Sequence, residues 1–248
     1  MSGAAEKHTL FISDLHLYAE RPHTSELFFR FAREIAPHAE ALYILGDLFE
    51  YWVGDDDIND ALAASVAEAL SGLSQNGVAV YLMQGNRDVL MGEAYAARCG
   101  ATLLPDPTVI DLYGTRTLLM HGDTLCTDDV EYQKFRAYIR DPKVQAQLLS
   151  LPLAVRHAKA RDIRSQSESS KSSKSMEIMD VNSDAVIAAL TRHDVSQMIH
   201  GHTHRPAKHE VRGESLHAVR WVLPDWGDSG GFLTVDNTEG ATPPKQFP

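Results

Sequence analysis

The chain has 248 residues, 44% of them hydrophobic and 23% charged, which suits one large domain or a core carrying an insertion. A net charge of -11 opposes a broad nucleic-acid surface, which needs positive charge to track phosphates, but leaves room for a local basic patch. Cys99 and Cys126 lack metal-ligand spacing and read as buried thiols. With no signal-peptide pattern and no apolar run of about eighteen residues, the expectation is a cytoplasmic protein, soluble or peripheral on a membrane.

Residues 8–13 predict a first strand, followed at once by Asp14-Leu-His16. A helix is expected over 24–37, ended by Pro37, then a buried strand over 41–45 that stops at Gly46-Asp47. Residues 59–71 are helical in pattern and 78–83 strand-like, with Gly85-Asn86 directly after. Segments 108–113 and 116–120 flank Gly114 as a hairpin, the second running into His121-Gly122. The rhythm then breaks. Residues 127–192 are mostly helical (129–140, 142–150, 152–164 and 182–192) and read as a lid inserted into a core formed by 1–126 and 193–248. Within it, 165–175 holds seven serines among eleven residues, a solvated linker or a polar loop closing over substrate. A strand over 195–199 precedes His200-Gly-His202, a hairpin over 208–212 and 215–223 surrounds Gly213, and 231–236 is a last short strand. The final GATPPKQFP reads as a frayed tail. Strands alternating with helices imply layered α/β architecture, and the hairpins imply mixed sheets.

Seven oxygen and nitrogen donors sit in blocks just past strand-like runs: Asp14, His16, Asp47, Asn86, His121, His202 and His204. Such a set suits two divalent cations sharing a carboxylate, a device for hydrolysing phosphate esters. On an extended backbone the spacing of Asp14 and His16 points both donors one way and Leu15 into the core. Asp47 ends an apolar strand, where an unpaired carboxylate is costly unless a metal or hydrogen bonds compensate it. Asp123 is placed either to orient His121 or to hold its turn, while His200 reads as structural. Asp55, Asp56 and Asp57 read as a solvated loop or a helix start.

At these blocks the sequence resembles the calcineurin-like metallophosphoesterases, αββα sandwiches with a dinuclear centre at strand ends. The resemblance implies that Asp14, His16 and His204 hold one ion, Asn86, His121 and His202 the other, and that Asp47 bridges them. FISDLHL, GDLFEYWVGDD, GNRD, HGDTLC, IMDVN and GHTHRP narrow the likeness to the UDP-2,3-diacylglucosamine diphosphatase family of lipid A biosynthesis. That likeness implies two manganese ions and a UDP-linked, diacylated glucosamine as substrate. It also implies a place on the cytoplasmic face of the bacterial inner membrane, with no nucleic acid and no obligate protein partner.

The expected reaction is attack of a metal-activated hydroxide on the uridine-linked phosphorus, with Asp47, Asn86, Arg87 and His121 as the catalytic set. Substrate contacts carry over to Asn86, Arg87, Asp129, Tyr132, Arg164, Ser167, Lys171, Lys174 and His202. The inserted segment offers apolar residues, among them Phe135, Ile139 and Leu148, for acyl chains or for its own small core. Arg156, His157, Lys159, Arg161 and Arg164 form a basic island, either a solvated face or a surface for phosphates or anionic lipid. A metallophosphodiesterase acting on soluble nucleotides would need the same core but no lid, and a noncatalytic scaffold would be expected to have lost ligands.

Overall fold

A computed structural model describes residues 7–173, 178, 180–214, 216–238 and 240–248, with the backbone alone for 166–173. Strand β1 (His8–Ile12) pairs in parallel with β2 (Ala41–Leu45), which pairs with β3 (Ala79–Met83) and that in turn with β4 (Thr102–Leu104). The crossovers are α1 (Pro22–Glu34) with a 3-10 turn at Ala36–His38, α2 (Ala61–Gln75) and α3 (Glu93–Arg98). A second sheet holds β5 (Thr108–Leu112), β6 (Thr115–Met120), β7 (Gln197–His200), β8 (Ala207–Arg212) and β9 (His217–Val222). Between its halves lie a 3-10 turn at Asp123–Leu125 and the helices α4 (Val130–Ile139), α5 (Pro142–Leu149), α6 (Leu153–Ser173) and α7 (Ser183–His193). Finally β10 (Gly230–Asp236) and β11 (Gly240–Phe247) return to the first sheet. The strand orders are β11-β10-β1-β2-β3-β4 and β5-β6-β7-β9-β8.

Strand alternation builds the layers. Along β1 and β2, Leu10, Ile12, Leu42 and Ile44 face the helices, where they meet Leu27, Phe28 and Phe31 of α1 and Val66 and Leu70 of α2. Their neighbours Phe11, Tyr43 and Leu45 face the other way and pack on Leu119, Ile199 and Trp221 of the second sheet. The outer face of that sheet, Leu118, Met120 and Met198, is covered by Val186 and Leu190 of α7. The result is the expected αββα sandwich with mixed sheets. The covering layer on the second sheet is thus a helix that the sequence grouped with the insertion. Asn182 caps it, its side chain accepting from the N–H groups of Asp184 and Ala185.

Several local features differ from expectation. Helix α6 runs through the serine-rich segment to Ser173 in place of a linker or loop. Serine costs only about 0.5 kcal/mol against alanine in a helix, too little to stop one already docked at its start. Lys174 lies outside the described residues. Short α3 and β4 were missed because six and three residues carry too little periodicity to register. The expected tail is strand β11. Pro243 and Pro244 fall where its register against β10 shifts, on a sheet edge that tolerates their missing N–H groups. Phe247 then packs on Phe31, Trp226 and Phe232. Both cysteines are free and buried, and burial pushes their thiols up to about 12.

Phe247→Ala is expected to destabilise the fold by about 2–3 kcal/mol, below the full-burial range because the ring is only partly covered. Urea unfolding midpoints of the two proteins measure it.

Candidate metal centre

The candidate ligands come from the carboxyl ends of parallel strands: Asp14 and His16 after β1, Asp47 after β2, Asn86 after β3, His121 after β6, and His202 and His204 after β7. Asp14, His16, Asp47, His202 and His204 adopt left-handed backbone, with φ of 55°, 50°, 53°, 68° and 55°. The extended geometry expected at Asp14 and His16 is therefore wrong, because β1 has already ended, although Leu15 does point into the core. Non-glycine residues hold φ > 0 at a cost, which the surrounding structure must override. Neighbouring loops also approach too closely for side chains. A Cβ on Gly85 would stand 2.1 Å from Asp47 Oδ1, and one on Gly201 would stand 2.2 Å from Asp14 Oδ2.

Five of these residues form two groups of converging ligand atoms: Asp14 with His16 and His204, and Asp14 with Asp47 and His121. Asp47 lies between the histidines of the two groups, Oδ2 3.8 Å from His16 Nε2 and Oδ1 3.7 Å from His121 Nε2. His121 Nδ1–H donates to Leu45 O at 3.0 Å, which aims Nε2 at Asn86 Oδ1, 3.0 Å away. His16 Nε2 and His204 Nε2 stand 3.4 Å apart. Facing acceptors at such distances need a proton or a cation between them, so the donor set fits divalent metal. Asp14 Oδ1, fully buried, stands 3.4 Å from the same His204 Nε2 and so converges on the same point. His202 lies beside this cluster, its ring centroid 5.0 Å from that of His121, while its N–H donates to Asp14 Oδ2.

Burial penalises the charge on Asp14, but His204, His121 and His16 together hold its carboxyl far below the usual range. In Asp47 burial prevails and pushes the carboxyl up. Burial also opposes charge on His121, yet Asp47, Asp14 and Asp123 raise its imidazole to about 9. His200 instead stays neutral, lowered to about 3 by burial and by Arg220, whose guanidinium donates to His200 Nε2 at 3.0 Å.

Three carboxylates outside the expected ligand set support it. Asp88 is wholly buried; Oδ1 accepts from Gly85 N and Asp47 N, and Oδ2 accepts from Leu48 N, so it staples two ligand loops together. Asp225 Oδ2 stands 3.3 Å from His204 Nδ1. Glu50 Oε2 stands 3.6 Å from His16 Nδ1. An aspartate closing GNRD was the one signal available for Asp88, and a glutamate directly before the aromatic pair Tyr51-Trp52 carried none.

The substrate residues expected from the sequence divide. Arg87 lies beside the centre, its N–H donating to Asp47 Oδ1 and its Nε buried without a hydrogen-bond partner. Asp129 caps α4 by accepting from Tyr132 N. Tyr132 and Arg136 on α4 and Arg140 at its carboxyl-terminal cap, four residues apart, turn one face to the core. Tyr132 Oη and Arg136 Nε donate to Asp123 Oδ2 at 2.8 and 2.7 Å, and Arg140 donates to Gly85 O at 3.0 Å. Asp123 therefore anchors α4 and adds to the electrostatics of His121. Arg164 Nε donates to Glu50 Oε1 at 2.9 Å. Ser167 and Lys171 lie on the last turns of α6, their side chains undescribed.

The acidic run and the basic island meet each other. Asp56 takes both terminal nitrogens of Arg156, His157 Nε2 lies 2.7 Å from Asp57, and Asp55 accepts from Trp52 Nε1, Gly92 N and Tyr95 N. The fold thus pairs part of each group, burying Arg156, while Asp56, Lys159 and Arg161 remain exposed as a solvated loop and helix face would be.

Beside this geometry, the sequence profile described as calcineurin-like phosphoesterase matches residues 7–206. The chain belongs to that family. A UDP-2,3-diacylglucosamine hydrolase of Stenotrophomonas maltophilia (strain K279a) is 53% identical over 235 residues, covering 92% of this chain and 94% of its own. Proteins of the same description from Cellvibrio japonicus (strain Ueda107) and Escherichia coli O7:K1 (strain IAI39 / ExPEC) are each 50% identical, covering 93% of this chain and 95% and 97% of their own. A divalent metal centre follows from the family, in agreement with the donor set above.

Asp88→Asn places an amide donor against backbone N–H groups. It is expected to cost about 1–3 kcal/mol of stability and at least about tenfold in turnover, read from urea midpoints and from phosphodiester hydrolysis at saturating metal.

Proposed function

We propose that the chain hydrolyses the pyrophosphate of UDP-2,3-diacylglucosamine, releasing UMP and 2,3-diacylglucosamine 1-phosphate. The observation that carries this reading is an open pocket beside the metal centre, lined by both charged and apolar side chains. Its charged lining is Glu50, Arg87, Arg156, Lys159 and Arg164, and its apolar lining includes Val89, Leu90, Phe135, Ile139, Leu148 and Ile163. A nucleotide-linked lipid needs both environments at once. The relatives named above bear the same activity in their descriptions.

Two manganese ions would occupy the centre, one held by Asp14, His16 and His204, the other by Asn86, His121 and His202, with Asp47 between them. Bound there, the cations would lower the pKa of water and withdraw charge from phosphoryl oxygens. Arg87 presents a planar guanidinium to the same oxygens, and its unpartnered Nε is a donor free for substrate. Cleavage places the new P–O bond on the uridine-linked phosphorus and expels the sugar phosphate, whose low basicity removes the need for a strong general acid. His121 keeps its orientation through Leu45 O. Asp129, Tyr132, Arg164, Ser167, Lys171 and Lys174 would surround the nucleotide and sugar from the inserted helices.

Helices α4, α5 and α6 would act as the lid holding the acyl chains. Exposed Phe135, Tyr138, Leu149, Val155 and Ile163 on those helices, with Lys159 and Arg161, support peripheral attachment to the cytoplasmic side of the bacterial inner membrane. Among the described residues no helix is long and apolar enough to cross a membrane.

Metal-stripped protein resupplied with manganese is expected to convert UDP-2,3-diacylglucosamine into UMP and the lipid phosphate, identified by mass. Turnover of a simple phosphodiester alone would sink the lipid reading. His121→Ala is expected to lose more than about 100-fold in kcat at saturating manganese; near-normal activity would refute the dinuclear assignment.

A further inference from the structure

Glu50 is a carboxylate with 4% exposure that three guanidinium groups surround. Arg164 Nε donates to its Oε1 at 2.9 Å, Arg87 approaches Oε1 at 3.8 Å, and Arg21 approaches Oε2 at 3.8 Å. The three arginines come from separate parts of the chain: α6, the loop after β3, and the segment before α1. Of these residues Glu50, Arg87 and Arg164 line the pocket, so two guanidinium groups share one anion there. Burying a carboxylate is costly, and three cations are more than it needs for compensation. Conversely, without the anion Arg87 and Arg164 would repel each other and swing apart.

We propose that Glu50 is a positioning residue, a central anion that holds Arg87 and Arg164 together as one cationic clamp for the substrate phosphates. The inference rests on the reading of those two arginines as substrate-facing. The clamp spans the core and the inserted helix, so Glu50 is also where α6 is registered against the metal centre. Its carboxylate touches no substrate and transfers no proton. It acts by fixing two flexible side chains before substrate arrives, so that binding does not have to order them. The contact with His16 Nδ1, at 3.6 Å, is longer than a hydrogen bond and secondary to the arginine pairs.

A double-mutant cycle on the full chain tests this, using E50Q, R164A and both together with manganese at saturation. Replacing Glu50 by glutamine keeps the shape and removes the charge. In the wild-type background E50Q should lower kcat/KM by about 10- to 100-fold, as loss of an orienting partner does. In the R164A background the same change should cost less than about threefold, because one arm of the clamp is already gone. Manganese content per chain, measured by mass spectrometry, should be unchanged in E50Q. Equal losses in both backgrounds would make Glu50 a structural residue, and reduced metal content would make it a partner of His16; either overturns the proposal. Should E50Q fail to fold, E50D takes its place, since it keeps the charge but draws it back from both arginines. The cycle is run on UDP-2,3-diacylglucosamine and on bis(4-nitrophenyl) phosphate. Wild-type activity on the second substrate alone refutes the lipid reading, and the clamp is then judged on that diester.

Discussion

Asp14 and Asp47 are taken almost wholly out of water at the point where the strand ends meet, among imidazoles rather than arginines. A carboxylate loses several kcal/mol of hydration on burial, and it stays charged only if cations repay the loss. The imidazoles, raised by these same carboxylates, supply part of that charge, and divalent ions would supply it fully. Much of the surrounding structure serves this one arrangement. Left-handed backbone turns the donors inward, glycines let the loops approach within contact of the carboxylates, and Asp88 fastens the loops after β2 and β3 to each other.

The division of charge between the two parts of the chain follows the same logic. The core loops are rich in acids, and the inserted helices bring bases to them: Arg136 to Asp123, Arg156 to Asp56, His157 to Asp57 and Arg164 to Glu50. Several of these pairs are partly or wholly buried, where loss of one partner costs more than at an exposed site. The insertion is thereby tied down at its first and third helices. The cavity between it and the core consequently has walls from both, with Trp52 and Val53 on one side and Phe135 and Leu148 on the other.

How far the sequence reveals this depends on distance along the chain. Period-two and period-3.6 patterns expose β1, β2, β3, the hairpins and most helices, because each is a local property. The donor blocks are equally legible, since Asp14, Asp47, Asn86, His121 and His202 each follow a strand directly. Pairings across a hundred residues, such as Asp56 with Arg156, leave no local trace, so both partners looked solvated. Glu50 and Asp225 were hidden for the same reason. The carboxyl-terminal strand was hidden by its own composition, because two prolines in eight residues imitate a tail unless the bulge that accommodates them is known.

The row formed by Tyr132, Arg136 and Arg140 has a consequence for how this chain can vary. A residue added or removed between Tyr132 and Arg140 would rotate whatever lies beyond it by roughly 100° about the helix axis. The contacts to Asp123 and to Gly85 could then not be made together. Helical phase thus fixes the spacing within this row, while a residue added in the link from Cys126 to Val130 leaves it untouched. Length variation among proteins built to this plan should therefore avoid the row and collect in the loops around it.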